Sequence, residues 1–162
     1  MNAMILNQQK FLKIRPKLME KLVELVLEDE PKELEISVRF VTDKTIAKLN
    51  EKYLHHSGPT DVIAFPMREG SFSQLHREIL GDVVVSTERA IDQAAQYKNN
   101  VSEELCLYVV HGILHLLGYD DIAPIPRRRM EKKQEQLLQS VRKYYGKDFF
   151  SRAVSANHSR SK

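Results

Sequence analysis

Ser102-Glu103-Glu104-Leu105-Cys106-Leu107-Tyr108-Val109-Val110-His111-Gly112-Ile113-Leu114-His115-Leu116-Leu117-Gly118-Tyr119-Asp120-Asp121 is the stretch on which the fold turns. From Ser102 to Leu117 it is apolar nearly all round, too uniformly for a surface helix, so it reads as a helix buried in the core. Gly118 is placed to end it in the left-handed conformation. A buried central helix needs other elements to cover it, and the flanking sequence supplies them.

Upstream, Phe11, Ile14, Leu18, Leu22, Leu25 and Val26 recur at helical spacing and predict an amphipathic helix over 9–28. Residues 34–41 alternate apolar and polar, as a half-buried strand does. Asp43 then caps a short helix carrying Ile46 and Leu49. Asp61 to Phe65 and Ile79 to Val85 read as strands around a polar, irregular excursion over 67–78. Ser86 or Thr87 caps a helix with Ile91, Ala94 and Ala95 on its inner face. Downstream, a last helix over 127–144 turns Met130, Leu137, Leu138 and Val141 inward. Beyond Phe150 the chain is rich in Ser, Arg and Asn, and residues 151–162 are expected to form a disordered basic tail. The expectation is an α+β fold: one domain over 1–150, a small mixed sheet and about five helices, the buried one carrying a histidine pair.

That pair carries the chemistry. His111 and His115 are four apart, so both imidazoles leave one helix face a turn apart. Their ring nitrogens can then reach one ion at about 2.0–2.1 Å. A third ligand has to come from another direction. Gly118 breaks the helix, and Asp121, three residues on, can fold back. Two His and one carboxylate leave a fourth position for water, the pattern of a catalytic site. Zinc is the expected ion, with other divalent metals compatible. The spacing also resembles the long metzincin motif, but those proteases place a Glu general base directly after the first His, where this chain has Gly112. A metzincin-like protease is therefore disfavoured.

Composition sets the frame. The 162 residues are 42% hydrophobic and 29% charged, with Cys106 the only cysteine. No run approaches the roughly 20 apolar residues of a membrane span, and the first residues lack a secretory pattern. A cytoplasmic protein, independent of membranes, is expected. The net charge of +3 conceals an asymmetry: residues 123–162 hold 11 Lys/Arg against 3 Asp/Glu, while 1–122 hold 14 against 19. That suits a phosphate-rich partner or, equally, a solvated helix face. Arg127, Arg128, Arg129, Lys132 and Lys133 open the last helix just after the metal loop, where they could guide a phosphate-bearing partner. Asp61 could orient a histidine from behind or cap a turn, and Asp120 has the same two readings.

The stretch His111–Asp121 matches H-G-x-L-H-L-x-G-Y-D-H at every fixed position but the last. Leu49-Asn50-Glu51-Lys52-Tyr53-Leu54, Thr60-Asp61-Val62-Ile63-Ala64-Phe65-Pro66 and Gly81-Asp82-Val83 add further matches in order. Over roughly 33–140 the chain resembles the YbeY family of bacterial endoribonucleases. The resemblance implies a zinc site on a central helix and cleavage of single-stranded RNA. It also implies a part in small-subunit ribosomal RNA 3′-end processing and ribosome quality control, with the ribosome or its proteins as partners and no DNA substrate. The alternative is a non-catalytic ribosome-assembly factor with a structural metal. Two positions depart from the family: Asp121 stands where most relatives have His, and Leu54 where many have Arg. Aspartate brings negative charge and should soften the ion's Lewis acidity. His55, His56, Arg68 and Arg127–Arg129 are candidates to replace the arginine.

Overall fold

The computed structural model describes residues 2–55, 58, 60–67 and 78–157. A four-stranded mixed sheet has the order β1-β3-β5-β4, from β1 (Asn2–Asn7), β3 (Glu35–Val41), β5 (Ile79–Ser86) and β4 (Val62–Pro66). The pairs β1–β3 and β3–β5 are parallel, and β4 runs antiparallel to β5. A second, two-stranded sheet pairs β2 (Leu12–Ile14) with β6 (Val154–Ala156).

The expected helix over 9–28 is shorter. Its first part is β2, and α1 spans Pro16–Val26. Leu12 and Ile14 are buried on either side of exposed Lys13, a period of two that overrides the helical spacing of Phe11 and Ile14. Pro16 fits only the first turn of a helix, where its missing N–H costs nothing.

Ile36, Val38 and Phe40 of β3 and Val83 and Val85 of β5 face the main core with α1. The opposite sheet face carries a small cluster of Val41, Ile63 and Val84 under Ile46 of α2 (Asp43–Leu54). Thr42, one residue before the expected Asp43, caps α2 by accepting the Thr45 N–H. Ser86 caps α3 (Thr87–Tyr97) in the same way.

The buried helix α4 spans Val101–Leu116 and packs against β4, β5 and α3. Asn100 caps it by accepting the Ser102 N–H at 2.8 Å. Its other end is a Schellman turn. Gly118 has φ +100°, its N–H bonds the His115 carbonyl, and the Tyr119 N–H bonds the Leu114 carbonyl, each at 3.0 Å. The next helix, α5 (Pro124–Tyr145), starts earlier than expected because Pro124 occupies its first position.

The tail expectation is corrected over 151–157. Helix α6 (Phe149–Ala153) buries Phe149 and Phe150 in the main core, and β6 pairs with β2. Ser102 Oγ donates to the Val154 carbonyl at 2.8 Å, anchoring β6 to α4. Polar composition alone hid this structure, because the apolar residues that hold the segment are few. Residues 158–162 lie outside the described residues.

Candidate metal centre

Past its first three residues, the positions of α4 that are not apolar fall on one stripe: Glu104, Tyr108, His111 and His115, spaced four, three and four apart. They line a cavity of about 470 Å³ together with Thr60, Asp61, Asp121 and Gln134.

At the end of this stripe His111 Nε2 and His115 Nε2 lie 3.0 Å apart. Asp121 Oδ2 stands 3.4 Å from the first and 3.5 Å from the second. Four ligands at about 2.05 Å around a tetrahedral ion stand about 3.3 Å from one another. The three measured edges bracket that value, so the donors fit a small divalent ion without rearrangement. The Schellman turn does the aiming: it reverses the chain after α4, and Asp121 returns over the histidine face. All three side chains are partly buried, leaving one side of the cluster open to solvent.

Burial is the largest influence on His111 and holds its imidazole below the usual histidine range, against the opposing effects of Gln134 and Asp121. Burial thus favours the neutral ring that a ligand must offer. Gln134 Oε1 on α5 hydrogen-bonds His111 Nδ1.

The remaining sequence candidates divide. Asp61 lines the cavity, and its charge is felt at His111, Tyr108 and Glu104. Its carbonyl also accepts the Ser86 N–H at 3.0 Å, tying β4 to β5. Asp120 turns away: its Oδ1 accepts the Ile122 N–H at 2.9 Å, the turn-capping role. Arg127, Arg128, Arg129 and Lys132 are exposed and Lys133 half-buried on α5, and none of the five lines the cavity. Leu54 is exposed at the end of α2, and His55 follows it in the left-handed conformation. Neither lines the cavity, and His56 and Arg68 lie outside the described residues.

Three cavity residues escaped the sequence reading. Gln134 sits four after inward-facing Met130 and three before Leu137, so a polar residue on an apolar face was its signal. In the sequence Glu104 reads as part of the helix opening and Tyr108 as part of the apolar run around Cys106, so neither announces the cavity. Burial raises both above their ordinary pKa values.

A family model described as Endoribonuclease YbeY matches residues 4–142, spanning α4, Asp121 and Gln134. The chain belongs to the YbeY family. Among curated YbeY endoribonucleases it is 38% identical to that of Syntrophus aciditrophicus over 137 residues, covering 83% of this chain and 86% of the relative. It is 33% identical to that of Clostridioides difficile over 148 residues, covering 87% and 97%. The solution structure of TM1509 from Thermotoga maritima superposes with a TM-score of 0.64 at 27% identity, covering 92% of this chain and 95% of that one. The YbeY match begins within β1, upstream of the motifs that first carried the resemblance.

Proposed function

We propose that this YbeY-family chain is a zinc-dependent endoribonuclease that cuts single-stranded RNA in ribosomal RNA maturation, including small-subunit 3′-end processing and ribosome quality control. The observation that carries the reading is the convergence of His111 Nε2, His115 Nε2 and Asp121 Oδ2 at the edge lengths of a tetrahedral site, on the wall of an open cavity. The family's name supplies the substrate class.

His111, His115 and Asp121 would hold the ion. A divalent metal there would supply Lewis acidity for the phosphoryl oxygens and an activated solvent nucleophile. The chain's own residues do the rest. Asp121, the most exposed of the three, adds a negative charge that favours binding a dication over a bare histidine pair. Asp61 and Glu104 line the same cavity and add acidic groups to its wall beside the histidines. The exposed cations Arg127, Arg128, Arg129 and Lys132, with Lys133, follow the metal loop and offer an RNA backbone a path to it. We place the activity in the cytoplasm, with the ribosome or its proteins as partners, in one domain extending to residue 157 rather than 150.

The test is cleavage of single-stranded ribosomal RNA fragments by rigorously purified protein. Wild type should cut in a chelator-sensitive way, and His115→Ala and Asp121→Ala should each lose at least about 100-fold. Unchanged cleavage by both variants would assign the nuclease to a contaminant. A folded, metal-binding wild type without cleavage would favour the non-catalytic assembly factor.

A further inference from the structure

We infer that Gln134 is a positioning residue of the metal centre: it holds the His111 proton on Nδ1 and keeps the ring's outer partner uncharged. The inference rests on the proposed metal site and adds the means by which α5 controls it.

An imidazole that gives Nε2 to an ion must carry its single hydrogen on Nδ1. His111 Nε2 is the nitrogen turned toward His115 and Asp121, so Nδ1 is the nitrogen that needs an acceptor. Gln134 Oε1 is that acceptor. The orientation with Oε1 toward the ring is the one an ion on Nε2 requires: with its nitrogen toward the ring, Gln134 would donate to Nδ1 and force the hydrogen onto Nε2, blocking the ion. Gln134 is itself partly buried at the cavity wall, carried by a helix whose Met130, Leu137 and Val141 are buried. Among the described residues, His115 Nδ1 has no comparable hydrogen bond. One ring is therefore fixed from behind, and the other can follow the ion.

The choice of an amide also sets charge. A carboxylate at 134 would add a second anion one ring away from the ion, beside Asp121. Among the described residues Asp121 is the one carboxylate in ion-pair range of the histidines. A neutral outer partner leaves the ion more electron-poor than an anionic one would. Gln134 thus offsets the loss of Lewis acidity that an aspartate ligand brings.

The experiment is a competition titration of the full chain with zinc against a chromogenic chelator, with visible spectra of the cobalt-loaded protein as a second readout. Gln134→Leu, similar in size without an acceptor, should lose about 10–100-fold in zinc affinity and shift the cobalt bands. Gln134→Glu restores an acceptor and should bind zinc at least as tightly as wild type while cleaving RNA more slowly at saturating zinc. A packing role alone would lower the melting temperature of both metal-free variants and give no rescue by Glu. Wild-type affinity in Gln134→Leu, with His111→Ala losing the metal, would overturn this inference and leave the metal site standing. Equal zinc binding by wild type and His111→Ala would overturn both. Should Gln134→Leu not fold, the affinity of Gln134→Glu decides, a fall counting against the inference.

Discussion

Gly112 of α4 lies so close to Val83 of β5 that a Cβ at position 112 would stand 2.5 Å from Val83 Cγ1 and 3.0 Å from Val62 Cγ2. The residue after the first histidine therefore packs against the sheet, and a side chain there would press on Val83 and Val62. This is the steric counterpart of the missing metzincin glutamate, and it fixes how deeply α4 settles on β4 and β5. Alanine would gain about 0.5–1 kcal/mol of helix propensity. Overpacking against two β-branched side chains on a sheet costs about 1–3 kcal/mol. Gly112→Ala should therefore be destabilised by up to about 2.5 kcal/mol, read as a lower denaturant midpoint at unchanged slope. A midpoint equal to or above wild type would mean that α4 can lift without cost.

Metal should stabilise the native state by mass action, since the unfolded chain does not bring His111, His115 and Asp121 together. At free zinc about 100-fold above Kd the gain is about 2.7 kcal/mol. For a chain of this length that corresponds to a rise of about 5–10 °C in Tm. Calorimetry with zinc and with chelator checks it, and His115→Ala should show most of the shift abolished. Identical melting with and without metal would remove the site.

Glu104 gives a pH dependence. Burial is the largest influence and raises its carboxyl above the usual range, with Asp61 acting in the same sense. A raised acid contributes stability that is fully present below the unfolded pKa and is lost as pH rises through the folded one. At neutral pH the charged form is thus a burden, and Glu104→Gln should be more stable than wild type at about pH 7 and equal to it near pH 4. A variant less stable at neutral pH would show that the Asn99 hydrogen bond outweighs burial.

The start of α5 should contribute sequence-independent affinity for single-stranded RNA. Every phosphate left without its cation reduces the slope of log K against log salt by about 0.7. Replacing Arg127, Arg128 and Arg129 together by Gln should flatten that slope by up to about 2 and leave zinc affinity unchanged. An unaltered slope would show that these cations only solubilise the helix.

Much of this architecture was readable because its strongest signals are local. The α4 run, the Gly118 break and the alternation of 34–41 each fix a conformation within a few residues, and Asp121 follows from the break. What escaped depends on distant pairing. Strand β2 has only Leu12 and Ile14 to announce it, and β6 has Val154, so each is defined by the other across the length of the chain. Edge strand β1, half-exposed along its length, has no clear alternation. Gln134 belongs to the same class. Its chemistry arises from a bond to His111 on another helix, which spacing within α5 can suggest but not assign.

The pairing of β6 with β2 has a consequence for how the molecule is made. Phe149 and Phe150 close the core over α1 and α4, and Val154 receives the Ser102 hydroxyl, yet all three are synthesised well after the helices they cover. While they are still inside the exit tunnel, the nascent chain holds its histidine-bearing helix with one flank bare. The native state cannot be completed until this segment has emerged, and the unfinished chain presents a greasy surface to chaperones in the interval.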